Sequence, residues 1–134
     1  MDGRNPCFER PPMRLFFTSV AAAALVTVAG TANAHPKLVS ASPAANAAVS
    51  APARIELRFS ERLMPAFSKA DLTMAAMPGM AAMKMASTTV LSSDGRTLVI
   101  TPKAPLPSGR YSIAWHIVST DTHKVSGTYA FAVK

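Results

Sequence analysis

The sequence predicts an all-β domain, a small two-sheet Greek-key sandwich of about seven strands, and three observations carry that prediction. Charged and apolar residues alternate strictly in Arg54-Ile55-Glu56-Leu57-Arg58-Phe59, the period of a half-buried strand. An Asp94-Gly95 turn signal stands between two apolar runs. Tyr111, Ile113, Trp115 and Ile117 share one parity, as do Tyr129, Phe131 and Val133.

Taken in order, the first strand puts Ile55, Leu57 and Phe59 on one face and its charges on the other. Residues 60–67 have room for one short turn. Val90-Leu91, then Ser92-Ser93-Asp94-Gly95, then Thr97-Leu98-Val99-Ile100-Thr101 reads as a hairpin. Residues 111–117 form a long strand with its apolar set facing inward, and 129–133 form the last. Prolines 43, 52, 65, 102, 105 and 107 fall between these runs, where turns and strand edges tolerate them. No segment carries a helical period, and the pattern suits a sandwich of immunoglobulin-like or cupredoxin-like type.

The front of the chain is not part of that fold. Residues 13–34 have the form of a secretory signal: Arg14, an apolar stretch over 15–29, and an A-x-A cleavage site at Ala32-Asn33-Ala34. The apolar stretch is shorter than the roughly 20 residues a membrane span needs. Residues 1–12 read as an upstream extension of a start at Met13, so 1–34 is extension plus cleavable signal and 35–134 is the exported domain. That length supports one modest core. The single cysteine, Cys7, lies in the leader, so the exported domain has neither disulfide nor thiolate.

Arg4, Arg10 and Arg14 of the 14 Lys+Arg, and Asp2 and Glu9 of the 7 Asp+Glu, precede residue 35, leaving the domain at a formal +6. The cations are scattered singly, with no aromatic stripe beside them, and export removes nucleic acid as the usual partner. A solvated basic surface is expected, with weak attraction to anionic lipid or an acidic partner as the lesser alternative.

Cleavage after Ala34 places a free α-amine and an imidazole on one residue, His35. Both are nitrogen donors, and together they chelate a borderline metal such as Cu(II). Pro36 has no amide hydrogen for a metal to displace, so the remaining ligands must come from elsewhere in the fold. Asp121 and His123 supply them if 121–123 is extended, because residues two apart then share a face. The plainer alternatives are a frayed terminal histidine, a turn-capping Asp121 and a surface His123.

A second candidate is the cluster Met74, Met77, Met80, Met83 and Met85. Thioethers are soft and cannot be protonated, so they select Cu(I) over zinc, calcium or magnesium. Pro78-Gly79 disfavours a helix through the cluster, and the flanking alanines and Lys84 can build little core. A ligand loop is expected, against an adaptable contact surface or ordinary packing. Met64 is read as core. His116, opposite the inward set on its strand, is read as a surface histidine that becomes an auxiliary ligand if the methionine loop folds against that face.

Together, His35-Pro36-Lys37-Leu38-Val39-Ser40, Ile55-Glu56-Leu57-Arg58-Phe59-Ser60-Glu61, Ala76-Met77-Pro78-Gly79-Met80, and Trp115 ahead of Ser119-Thr120-Asp121-Thr122-His123 resemble the CopC family of periplasmic copper-resistance or copper-homeostasis proteins. The resemblance covers essentially all of 35–134 in the same motif order. It implies a small cupredoxin-like β-barrel with a Cu(II) site at one end and a Cu(I) site at the other. By position, His35, Asp121 and His123 match the Cu(II) ligands, and Met74, Met77, Met80 and Met85 match the Cu(I) methionines. The chain departs in one place. Family members with this loop commonly carry a histidine after M-P-G-M, where this chain has Ala82 followed by Met83.

The expected function is therefore a periplasmic copper carrier, monomeric and not an enzyme. The resemblance implies a CopD-type inner-membrane copper transporter and a multicopper oxidase as partners. The rival is a small copper-dependent redox enzyme with a histidine-brace site, as in lytic polysaccharide monooxygenases. A domain of this size has little area for a flat glycan surface, and a carboxylate in the copper plane leaves less room for oxygen chemistry. A metal-free adhesion module of the same fold is the third reading.

Overall fold

The alternating runs become strands of two facing sheets in the structure, a computed structural model that describes residues 35–134. The expected extension, signal segment, cleavage point and Cys7 lie outside the described residues. Among the described residues the strands are β1 (Leu38–Ser42), β2 (Ala48–Val49), β3 (Ile55–Phe59), β4 (Lys69–Met74), β5 (Met83–Lys84), β6 (Ser87–Leu91), β7 (Thr97–Pro102), β8 (Gly109–Val118) and β9 (Lys124–Val133). A single 3-10 turn, Pro65–Phe67, falls inside the stretch where one short turn is expected. Seven strands have five residues or more, which agrees with the expected count, although β1 and β4 lie where the sequence pattern placed none. β2 and β5 have only two residues each, too few to display a period.

One sheet runs β1-β3-β7-β6 and the other β2-β9-β8-β4-β5. The chain passes between sheets after β1, β2, β3, β5 and β7, and β2 pairs parallel with β9 while every other pair is antiparallel. The sheets do not close on each other, so the architecture is an open sandwich rather than the barrel that the resemblance implies.

The core lies between the inner faces. Ile55, Leu57 and Phe59 of β3 meet Tyr111, Ile113, Trp115 and Ile117 of β8 there, all buried. The Trp115 ring stands edge-on to Phe59 at 5.1 Å and lies over Gly127, its cross-strand partner on β9. A Cβ on Gly127 would sit 2.2 Å from the Trp115 ring, so only glycine leaves space for it. The Tyr111 hydroxyl donates to the Pro107 carbonyl at 2.6 Å and fastens the start of β8. Burial alone pushes the Tyr129 hydroxyl up to about 12. Met64 is half-buried and outside the core cluster, contrary to the expectation that it packs inside; the turn after it carries it toward the outer face.

β8 sets the molecular axis. It has ten residues, so its ends stand roughly 30 Å apart at about 3.3 Å per residue. Gly109 opens it beside Met74, and Val118 closes it beside the 119–123 connection to β9. The two candidate sites therefore occupy opposite ends.

Candidate metal centre

His35 is held in place by its neighbours. Pro36 is fully buried, the Lys37 N–H donates to Ser60 Oγ at 2.9 Å, and the Ser60 N–H donates to the Lys37 carbonyl at 2.9 Å. These contacts anchor the chain one residue after His35 while leaving its side chain exposed.

Asp121 and His123 lie in the tight connection between β8 and β9. The Thr122 N–H donates to the Ser119 carbonyl at 2.8 Å, and the Ser119 N–H donates to the His123 carbonyl at 3.0 Å. Thr122 has φ 73, the left-handed region that β-branched residues rarely occupy but that three-residue hairpin loops require. The segment is thus curled, not extended as the two-residue spacing suggests. Asp121 and His123 meet because the loop folds back, not because they share a strand face. The Thr120 N–H donates to the Arg62 carbonyl at 2.9 Å, and Leu63 bridges to Ser119, so the 60–64 segment braces both the loop and the chain start at Lys37.

The side chains approach one another in two pairs that share His123. The His35 and His123 rings have their centroids 4.9 Å apart at 60°, and His123 Nδ1 lies 3.0 Å from Asp121 Oδ2. That nitrogen is buried, with the Asp121 carboxylate as its neighbour. Two adjacent donors, each about 2.0 Å from one metal ion, stand about 2.8 Å apart. The Asp121–His123 spacing is a hydrogen-bond distance and is also close to that of neighbouring positions in a coordination plane. Among the described residues no three His, Cys, Asp or Glu side chains are already closed into a metal cage; these three are neighbours in pairs.

Ser119 is the residue that sequence reasoning missed. It is 1% exposed, and its hydroxyl donates to Asp121 Oδ1, leaving Oδ2 to face His123. This hydrogen bond, followed by the contact with His123, holds the Asp121 carboxyl below its ordinary 3.8 and keeps it anionic. A lowered carboxyl contributes stability that is complete above its ordinary value and is lost as pH falls through the folded value. Ser119→Ala is expected to return the Asp121 carboxyl toward 3.8 in an NMR titration, shrinking that acid-sensitive contribution. An unmoved titration would mean that the hydroxyl does not orient Asp121. The only sequence signal was its place two residues before Asp121.

At the other end, Met74 closes β4 and pairs with Met83 at the start of β5. Between them Met77 and Met80 exchange backbone hydrogen bonds of 2.9 and 2.8 Å across Pro78-Gly79, whose glycine takes φ 81. This is a built turn, and Pro78 followed by glycine at positive φ is the signature of type II. Met74 Cε and Met77 Sδ lie 2.9 and 3.8 Å from one point above Gly109. Met77 and Met85 pack half-buried against the core, Met74 is buried within it, and Met80 and Met83 are 48% and 47% exposed. Met74 is thus a core side chain first. His116 does not reach this end. It pairs with Lys69, five residues from the Met74–Tyr111 pair and roughly 17 Å along the strand, and its Nδ1 lies 2.8 Å from Ser126 Oγ.

The CopC domain family model matches residues 38–134. The chain belongs to the CopC family. It is 48% identical over 90% of its length to "Copper resistance protein C" of Xanthomonas campestris pv. juglandis, and the match covers 97% of that protein. The crystal structure of PcoC, a methionine-rich copper resistance protein from Escherichia coli, is similar at TM-score 0.70 and 46% identity, over 75% of this chain and all of PcoC. CopC from Methylosinus trichosporium OB3b is similar at TM-score 0.65 and 29% identity, over 75% of this chain and 94% of its own. The sandwich is shared across this family. No helix among the described residues is long and apolar enough to cross a membrane.

Proposed function

We propose that this CopC-family chain is a periplasmic copper carrier that takes part in copper resistance or homeostasis. It binds Cu(II) through the amine and imidazole of a processed His35 with Asp121 and His123, and Cu(I) through the methionine end. The observation that carries this reading is the approach of His35 to His123 and of His123 to Asp121, drawn from opposite ends of the described chain. Two imidazoles, an amine and a carboxylate suit the tetragonal nitrogen and oxygen preference of Cu(II). At the other end, converging Met74 and Met77 with exposed Met80 and Met83 offer soft donors to Cu(I). Met83 offers a thioether next to Ala82, the position where relatives with this loop commonly carry histidine.

The carrier acts by exposure. A terminus and a surface turn can each release an ion to a recipient without unfolding the sandwich. The family resemblance suggests a CopD-type inner-membrane copper transporter and a multicopper oxidase as recipients, with the carrier itself a monomer delivered by signal-peptide cleavage after Ala34.

Native mass spectrometry of the exported protein is expected to find a chain starting at His35 that takes up one Cu(II) and, under reducing conditions, one Cu(I). Met77→Leu combined with Met80→Leu is expected to weaken Cu(I) binding at least tenfold while sparing Cu(II), because leucine keeps the apolar volume and removes the sulfur donors. Parallel loss of both ions would mean a single shared site, and an exported protein empty of copper would sink the reading.

A further inference from the structure

A groove of about 430 Å³ opens on the outer face of the five-stranded sheet, at the end that carries His123. Met64, Phe67 and Val118 contribute its apolar lining. Phe67 is 57% exposed, the one large aromatic so placed among the described residues. It is not a frayed side chain. The turn that bears it is pinned to β8, where Ser68 Oγ accepts from the Val118 N–H at 3.1 Å and donates to the Val118 carbonyl at 3.3 Å. An aromatic presented in solvent by a pinned turn is a natural anchor.

Lys69, Lys124 and His116 add the polar groups, and no carboxylate lines the groove. The ion pairs among the described residues engage Arg54, Arg58, Lys84 and His123, which leaves both groove lysines outside them. The groove is therefore apolar with positive charge beside it that no ion pair among the described residues offsets, on a domain at a formal +6. Its concavity suits an inserted side chain and not the flat face of a bilayer.

We propose that this groove docks an acidic segment of a copper-handling partner protein. An apolar side chain of the partner packs on Phe67, and flanking carboxylates meet Lys69 and Lys124. The inference rests on the copper reading of His35, Asp121 and His123, because Thr122 and Lys124 line the groove and flank His123 in the chain. A partner seated there lies next to the loop that would hold Cu(II), the arrangement direct handover requires.

The test is an NMR titration of the isotopically labelled exported protein with an N-acetylated Glu-Glu-Leu-Glu-Glu peptide. Expected are amide shifts confined to 64–69, 116–118 and 122–124 that fade as salt is raised. Phe67→Ala and Lys69→Glu should each lower the apparent affinity about tenfold without changing Cu(II) stoichiometry. Shifts centred elsewhere, or wild-type affinity in both variants, would overturn the docking surface. So would binding to phosphatidylglycerol vesicles without binding to the peptide. Groove-centred binding by a protein that takes up no Cu(II) would support the surface and refute the copper reading, so the two failures are distinguishable.

Discussion

Leaving one residue ahead of His35 is expected to weaken Cu(II) binding by about a hundredfold or more, since even outer-shell partners of a metal ligand are worth 10–100-fold. With Ala34 retained, the nitrogen of His35 is an amide, which is a poor donor while it keeps its hydrogen. The six-membered chelate ring of amine plus imidazole Nδ1 is lost, and Pro36 offers no second nitrogen further along. The fold has no reason to suffer. Pro36 remains buried and the Lys37–Ser60 hydrogen bonds remain in place, so the unloaded variant should melt at the temperature of the processed protein. Competition titrations with a chelator, on protein whose N-terminus is fixed by mass spectrometry, check this directly. Equal affinity in the two forms would remove the amine from the site.

Gly127→Ala should destabilise the domain by about 3 kcal/mol, the upper range of an overpacked core. The added methyl would stand 2.2 Å from Trp115 Cζ2, a distance no packed pair of carbons tolerates. Trp115 cannot retreat, because its ring already abuts Phe59, itself 1% exposed between the sheets. For a domain of this size the loss corresponds to a fall in Tm of about 12–24 °C. Thermal unfolding followed by Trp115 fluorescence reads both the melt and the displaced indole, and a Tm within a few degrees of wild type would show that the sheets can part there at little cost. Cu(II) should restore part of the loss, since a ligand held only by the native state raises stability.

The sandwich was legible because the central strands β3 and β8 repeat a two-residue pattern, and a period is a local property of a sequence. Ile55, Leu57 and Phe59, or Tyr111 through Ile117, declare a buried face without reference to any other segment. β1 and β4 were not assigned, and β2 and β5 were not legible, since pairing with β9 and β4 is all that defines those two. Met64 was misassigned because hydrophobicity alone does not say which face of a turn it occupies. His116 was correctly read as a surface histidine, and its distance from the methionines followed only from the register of β4 against β8.

The candidate site divides along the same line. Residue chemistry and spacing by themselves nominated His35, Asp121, His123 and the methionines, because donor type is written in the side chain. The tertiary structure decided how they meet: a left-handed Thr122 curls the loop, buried Ser119 turns the Asp121 carboxylate, and buried Pro36 sets His35 beside His123. The first two are set within one loop that the distant 60–64 segment braces, and the third joins segments far apart in the chain. Only the packing of two sheets brings such segments together, and no local pattern encodes it.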